Sequence, residues 1–241
     1  MEEARTYEEL RVGFTAAVSH ELRTPLARLL ALLDSAGLAG ADHEALLAQA
    51  REQVEQMSEL NDDVLFLSEL ESGREVVALG STAALPVFEE IRDRLADSAE
   101  RADVRIVLDA NPPDVVVPMR RRMLHVIVEN LAVNAIRYAG PGATLTLGAR
   151  PNVLDVSDDG RGVSDEELPR LFERFYRSDR ARSSRGTGLG LAIVKHVVVS
   201  AGGEVHADVG RAGRGLRIRC TFPAPAAAAR SEPGRSSSAT P

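Results

Sequence analysis

Apolar residues at Leu10, Phe14, Val18, Leu22, Leu29, Leu32 and Leu33 recur at spacings of three, four and seven. At ~100° per residue they fall on one broad face, which predicts a helix over residues 7–36. Gly37-Leu38-Ala39-Gly40 breaks it, and Asp42 is placed to cap the next helix. Ala50, Val54, Met57, Leu60, Val64 and Leu67 then give a near-heptad repeat up to Gly73, a C-terminal stop. Each helix of this hairpin can bury only one stripe, and two helices cannot enclose a core. Pairing with a second copy as a four-helix bundle is the economical solution.

Beyond residue 74 the pattern changes. The runs Val76–Leu79, Arg105–Leu108, Val115–Val117, Thr144–Leu147, Val153–Val156, Glu204–Val209 and Leu216–Phe222 predict strands. Pro86–Arg101, Met119–Tyr138 and Leu189–Ser200 predict helices. Helices on one face of a mixed sheet, an α+β sandwich, fit this order. From Ala224 the chain is alanine, proline, serine and arginine without periodicity, which predicts a disordered tail. The expected units are 1–73, 74–223 and 224–241.

Composition narrows the classes. The chain has 241 residues, is 44% hydrophobic and carries a formal charge of -7, which disfavours a general nucleic-acid binder. No run approaches the ~20 apolar residues of a membrane helix, and Met1-Glu2-Glu3-Ala4-Arg5 lacks a signal-peptide core. The chain as written therefore reads as cytoplasmic, or as the soluble half of something larger. Cys220 is the only cysteine, so no disulfide within one chain and no cysteine-based zinc site can form. Its alternating strand phase points it inward as a structural thiol.

The candidate chemistry begins at Ser19-His20-Glu21-Leu22-Arg23-Thr24-Pro25-Leu26. His20 lies roughly 160–200° from the apolar stripe, on a face of small, polar and basic residues. Histidine titrates near neutrality and forms covalent intermediates. Four later segments belong with it. Asn130 and Asn134 share a helix face, and an amide oxygen is a neutral hard ligand suited to Mg²⁺ held mainly by phosphates and water. Asp158-Asp159-Gly160-Arg161-Gly162 follows a strand, where a carboxylate can accept from an exocyclic amine and glycines let a flat ring approach. Leu171–Arg185 runs from a hydrophobic anchor into a basic segment suited to a lid over a polyanion. Gly186-Thr187-Gly188-Leu189-Gly190 opens a helix whose free N–H groups attract phosphate. Singly, each has a plain structural reading as a solvated pair, a turn or a charged loop. The glycine loop matches neither a Walker nor a Rossmann fingerprint.

Together and in this order, the four resemble the asparagine box, first glycine box, phenylalanine box and second glycine box of sensor histidine kinases. That ATP-binding fold is shared with gyrase, heat-shock chaperones and mismatch-repair ATPases. The string around His20 resembles the phosphoacceptor box of the same kinases, and Leu65–Gly73 resembles the end of their second bundle helix. The resemblance covers residues 7–223. It implies that His20 takes the γ-phosphoryl group of ATP, that Glu21 orients the imidazole or accepts its proton, and that Thr24 positions a water for dephosphorylating a response regulator. It implies that Asn134, assisted by Asn130, holds Mg²⁺, that Arg137 reaches phosphate, and that Tyr138 lies against adenine. Asp158 would bind the adenine amino group in a pocket shaped by Gly160 and Gly162. Arg177 is the leading lid contact for phosphate, with Arg180, Arg182 and Arg185 behind it. Gly186, Thr187, Gly188, Leu189 and Gly190 would form the phosphate-side loop.

The resemblance also implies a homodimer, a response-regulator partner receiving the phosphoryl group on aspartate, and the soluble portion of a membrane-associated sensor as an alternative setting. ATP-hydrolysing relatives place a glutamate where Asn130 stands, and an amide cannot act as a general base, which favours transfer to histidine. A dimeric scaffold or receiver phosphatase, and a gyrase-type ATPase, are the other readings of these residues.

Overall fold

The computed structural model describes residues 2–38, 42–72, 80–178, 186–210 and 213–224, with side chains from Thr15 onward. Helices α1 (Glu2–Ala36) and α2 (His43–Glu71) form the hairpin. Pro25 lies inside α1, which continues through it. Asp42 accepts the Ala45 N–H at 3.0 Å, satisfying one of the donors a helix start leaves open. The predicted stop Gly73, the predicted strand Val76–Leu79 and the predicted tail 225–241 lie outside the described residues.

The seam of α2 runs through Leu46, Ala50, Gln53, Met57, Leu60, Val64 and Leu67, all buried or half-buried. This corrects the predicted stripe at one position. Val54 is 53% exposed, while Gln53 is buried to 7%. Adjacent positions differ by ~100°, so a strict heptad selects Gln53 and turns Val54 outward.

The second unit begins with β1 (Thr82–Ala83), α3 (Ala84–Arg101), β2 (Arg105–Ala110), β3 (Val116–Val117) and α4 (Arg121–Tyr138). It continues with β4 (Thr144–Arg150), β5 (Val153–Asp158), α5 (Gly190–Ser200), β6 (Glu204–Val209) and β7 (Leu216–Thr221). Five strands form one sheet in the order β2-β4-β5-β7-β6. The β2–β4 pair is parallel and the others are antiparallel, so the sheet is mixed as expected. Helix α3 starts two residues earlier than predicted. Pro86 sits in its first turn, where a missing N–H breaks no helical bond. Strand β3 falls within the predicted run Val115–Val117, whereas β1 and the antiparallel two-stranded ribbon the two form were not predicted.

Strand β7 alternates buried Leu216, Ile218 and Cys220 with half-buried Arg217, Arg219 and Thr221, the period of a sheet with one covered face. Phe88 and Ile91 of α3, Leu124 and Ile127 of α4, and Ile193 and Val197 of α5 fill the core with Leu145, Leu147 and Leu154 of the sheet. Burial pushes the Cys220 thiol up to about 12, so it is an inert packing residue. On the other face, the Asp155 carboxylate pairs with Arg217 and Arg219. That pairing raises the Arg217 guanidinium above its ordinary value, against the opposing effect of partial burial. Leu60, Leu67 and Leu70 of α2 join the same apolar cluster, so the hairpin packs directly on the sandwich.

Candidate functional site

Helix α4 presents Asn130, Asn134, Arg137 and Tyr138, all half-buried, near one end of the sandwich. Asn130 spends its amide donor on the Val126 carbonyl at 2.9 Å, an i−4 bond that leaves Oδ1 turned toward the glycine loop. A Cβ on Gly190 would lie 2.5 Å from that Oδ1, and a Cβ on Gly186 would lie 2.5 Å from Arg137 Nη1 and 3.4 Å from the Tyr138 hydroxyl. Gly188 has φ +71 and would place a Cβ 2.9 Å from the Phe175 backbone. The Phe175 N–H donates to the Gly188 carbonyl at 3.0 Å. The structure therefore brings Asn130, the phenylalanine segment and the second glycine loop into one cradle, with Gly188 packed too close to the Phe175 backbone for a side chain.

Within that loop, the Leu189 N–H donates to Thr187 Oγ1 at 3.1 Å, shaping the turn into α5. The Leu189 side chain is fully buried, so only its backbone can face a ligand. Phe175 holds φ 61, a left-handed backbone uncommon for an aromatic residue, where it meets Gly188.

A second cluster of predicted site residues lies beyond Tyr138. Asp158 ends β5, and its Oδ1 accepts the Gly160 N–H at 2.9 Å and the Leu216 N–H at 3.4 Å. Burial pushes the Asp158 carboxyl above its ordinary value, the two backbone donors pull it back, and neighbouring Asp159 raises it again. A Cβ on Gly160 would stand 2.3 Å from the Ala139 carbonyl oxygen, one residue past Tyr138. Gly162, at φ +66, would meet the Gly215 carbonyl at 2.8 Å. These glycines let the turn after β5 pack backbone to backbone against the end of α4 and the turn before β7.

Glu129, the carboxylate nearest Asn130 in sequence, faces α3. It forms an ion pair with Arg94 and approaches His125 Nδ1 at 3.6 Å. It is committed to the helix–helix surface and does not face the cradle. Among the described residues, no group of three His, Cys, Asp or Glu side chains could hold a metal ion. A cation here would depend on the amide oxygens of Asn130 and Asn134 together with ligand phosphates, which fits the donor set of Mg²⁺.

His20 and Thr24 are exposed on α1 and Glu21 is half-buried. The structure thus places this trio on a different unit from the cradle. Arg177 is half-buried at the end of the phenylalanine segment. Arg180, Arg182 and Arg185 lie outside the described residues. Sequence reasoning missed the residues of α2 that touch the sandwich: Asp63, Phe66 and Glu71. Asp63 carries no motif of its own in the sequence. The available signal was that Asp63 adjoins Val64 and precedes Leu67 by one turn of the apolar seam.

Comparison with known proteins agrees with this division. Residues 10–73 match the family described as His Kinase A (phospho-acceptor) domain. Residues 119–226 match the family described as Histidine kinase-, DNA gyrase B-, and HSP90-like ATPase. The phosphate regulon sensor protein PhoR of Pseudomonas aeruginosa is 37% identical over 239 residues, covering 93% of this chain and 52% of that protein. The sensor-like histidine kinase SenX3 of Mycobacterium tuberculosis is 34% identical over 208 residues, covering 82% of this chain and 50% of that protein. The chain thus spans about half the length of the curated relatives it matches. The solved structure of the Acinetobacter baumannii histidine kinase AdeS superposes with a TM-score of 0.66 at 26% identity, covering 84% of this chain and 97% of that one. No helix among the described residues is long and apolar enough to cross a membrane. With a phosphoacceptor domain joined to an ATPase domain of this type, the chain belongs to the sensor histidine kinases.

Proposed function

We propose that this chain is an ATP-dependent protein-histidine kinase of a two-component system. It would phosphorylate His20 and pass the phosphoryl group to an aspartate of a response regulator. The observation that carries the reading is the convergence of Asn130, Arg137, Tyr138 and Phe175 on one glycine loop, with an exposed histidine on the adjoining hairpin. The units divide as 1–73 for dimerisation and phosphoacceptance, 74–223 for nucleotide binding and 224–241 as a tail. The ATPase family match implies ATP; Mg²⁺ is the finer proposal.

Phosphoryl transfer is catalysed by positioning and charge neutralisation, and each residue has a role of that kind. Asp158 and the Gly160–Gly162 turn fix the base, with Tyr138 against the ring. The N–H groups of Gly186–Gly190 and the Arg137 guanidinium hold the phosphates, and Arg177 closes over them. Asn134, with Asn130, would hold Mg²⁺, which neutralises phosphate charge when bound. A ring nitrogen of His20 bonds the γ-phosphorus as the bond to the ADP oxygen breaks. Glu21 orients the imidazole or takes its proton. Thr24, four residues on and on the same face, would position a water that removes phosphate from the response regulator. The basic face around His20 suits an acidic receiver pocket.

A gyrase-type ATPase reading is weaker because Asn130 is an amide and Glu129 is paired with Arg94. Incubation with γ-labelled ATP and Mg²⁺ separates them. Acid-labile, base-stable label on the protein, lost in His20→Ala, supports the kinase. Steady phosphate release without phosphoprotein contradicts it.

A further inference from the structure

Helix α2 does more than complete the hairpin. Its Asp63 Oδ2 accepts a hydrogen bond from the Thr187 hydroxyl at 2.7 Å. That hydroxyl belongs to the glycine loop and also receives the Leu189 N–H. One turn on, the Phe66 ring lies under the Arg122 guanidinium at 5.7 Å. Further along, Glu71 pairs with Arg174 of the phenylalanine segment. Leu60, Leu67 and Leu70 are buried behind these contacts. Asp63 is itself half-buried. Burial raises its carboxyl above the ordinary value, and the Thr187 hydroxyl and the Arg137 charge oppose that rise. Asp63 therefore faces the phosphate side of the cradle.

The height of this contact on the bundle can be read from the hairpin register. Arg28, Ala31, Leu32 and Ser35 of α1 face Gln49, Glu52 and Gln53 of α2 across a cavity of about 520 Å³. The helices are antiparallel and rise ~1.5 Å per residue. Extending that register away from the loop by the same number of residues on each helix brings His20 level with about Asp62–Asp63. The residue that grips the glycine loop thus stands at the height of the candidate phosphoacceptor.

We propose that Asp63 is a positioning residue for phosphoryl transfer, holding the glycine loop through Thr187 at the level of His20. This rests on the kinase reading above. Asp63 belongs to the hairpin, so it acts on where the loop is held and leaves the cradle's own bonds in place. Losing it should lower the transfer rate and spare nucleotide affinity, since positioning accelerates a step without changing ground-state binding.

The test measures phosphohistidine formation at saturating Mg-ATP beside the dissociation constant of a fluorescent ATP analogue. Asp63→Ala should slow labelling about tenfold and change the dissociation constant by less than about twofold. Asp63→Asn keeps an acceptor oxygen and should retain most of the rate. Asp63→Ala combined with Thr187→Ala should be no slower than Thr187→Ala alone, because Thr187→Ala already removes the bond that Asp63→Ala removes. An unchanged rate, a faster rate or a parallel loss of nucleotide affinity overturns the proposal. An activity-free measurement covers failure of the kinase reading itself. Asp63→Cys with Thr187→Cys should join through a short thiol-reactive linker, the buried Cys220 staying unreacted; no cross-link overturns the docking. Wild-type protein that takes no label while the cross-link forms contradicts the kinase reading and leaves the contact standing.

Discussion

The hairpin and the sandwich solve the same packing problem to different degrees. The sandwich closes on itself: Phe88, Ile91, Leu124, Ile127, Leu145 and Leu154 are fully buried between three helices and one sheet face. The hairpin does not close. Leu30 is 56% exposed, Leu33 59% and Leu47 70%, with Leu26, Val54 and Leu65 also open. Open apolar positions on a helix pair mark an interaction surface, and in the seam between the two helices Gln53 Oε1 is buried without a hydrogen-bond partner. A unit built to bind a nucleotide can be complete in one chain. A unit built to dimerise holds half of its core in each copy.

The comparison breaks most sharply through core deletions. Phe88→Ala should cost about 3–5 kcal/mol of stability, read by denaturant unfolding and independent of protein concentration. Leu30→Ala with Leu33→Ala should weaken self-association about a hundredfold, since burying each leucine contributes roughly 1.5–3 kcal/mol. Sedimentation would read that loss, while nucleotide binding stays unchanged. A concentration-independent loss of stability from the leucine pair would mean that the hairpin is complete alone.

Inside the sandwich, Gly160→Ala should lower nucleotide affinity about tenfold. The new methyl cannot coexist with the Ala139 carbonyl 2.3 Å away, and overpacking costs about 1–3 kcal/mol. Calorimetry with an ATP analogue checks it. The smallest effect is pH-dependent. Asp158 is raised by burial, so acid should weaken nucleotide binding from a higher pH than an ordinary aspartate would, by at most about tenfold per pH unit. Stability moves the other way. A carboxyl with a raised folded pKa loses its contribution as pH rises from the ordinary value through the raised one. Asp158→Asn should therefore abolish the pH dependence of binding, weaken binding at neutral pH and slightly stabilise the free protein there. Parallel loss of binding and stability would contradict the assignment.

Much of this was legible from residue patterns because the signals are local. Asp42 caps α2, β7 alternates, and the asparagine, aspartate and glycine segments each announce a turn or a helix face. What escaped notice depends on distant pairing. Strand β1 exists only because Thr82 meets Val117 of the predicted β3, its two residues being too few and too distant for any periodicity. Gln53 displaced Val54 from the seam because a supercoil-like heptad, and not hydrophobicity, chooses the inward position. Asp63 drew no attention because its partner Thr187 is 124 residues away. The cradle's composition was visible in the chain, whereas its closure by Phe175 and Gly188 required the fold.

The division of labour between the units is tested most directly by one comparison on His20→Ala, measuring ATP-analogue affinity and γ-phosphate labelling on the same preparation. Affinity should stay within about twofold of wild type, because every cradle residue lies in the sandwich, and acid-labile label should be lost completely. Retained label, or nucleotide affinity lost together with it, would contradict the assignment of donor and acceptor to separate units.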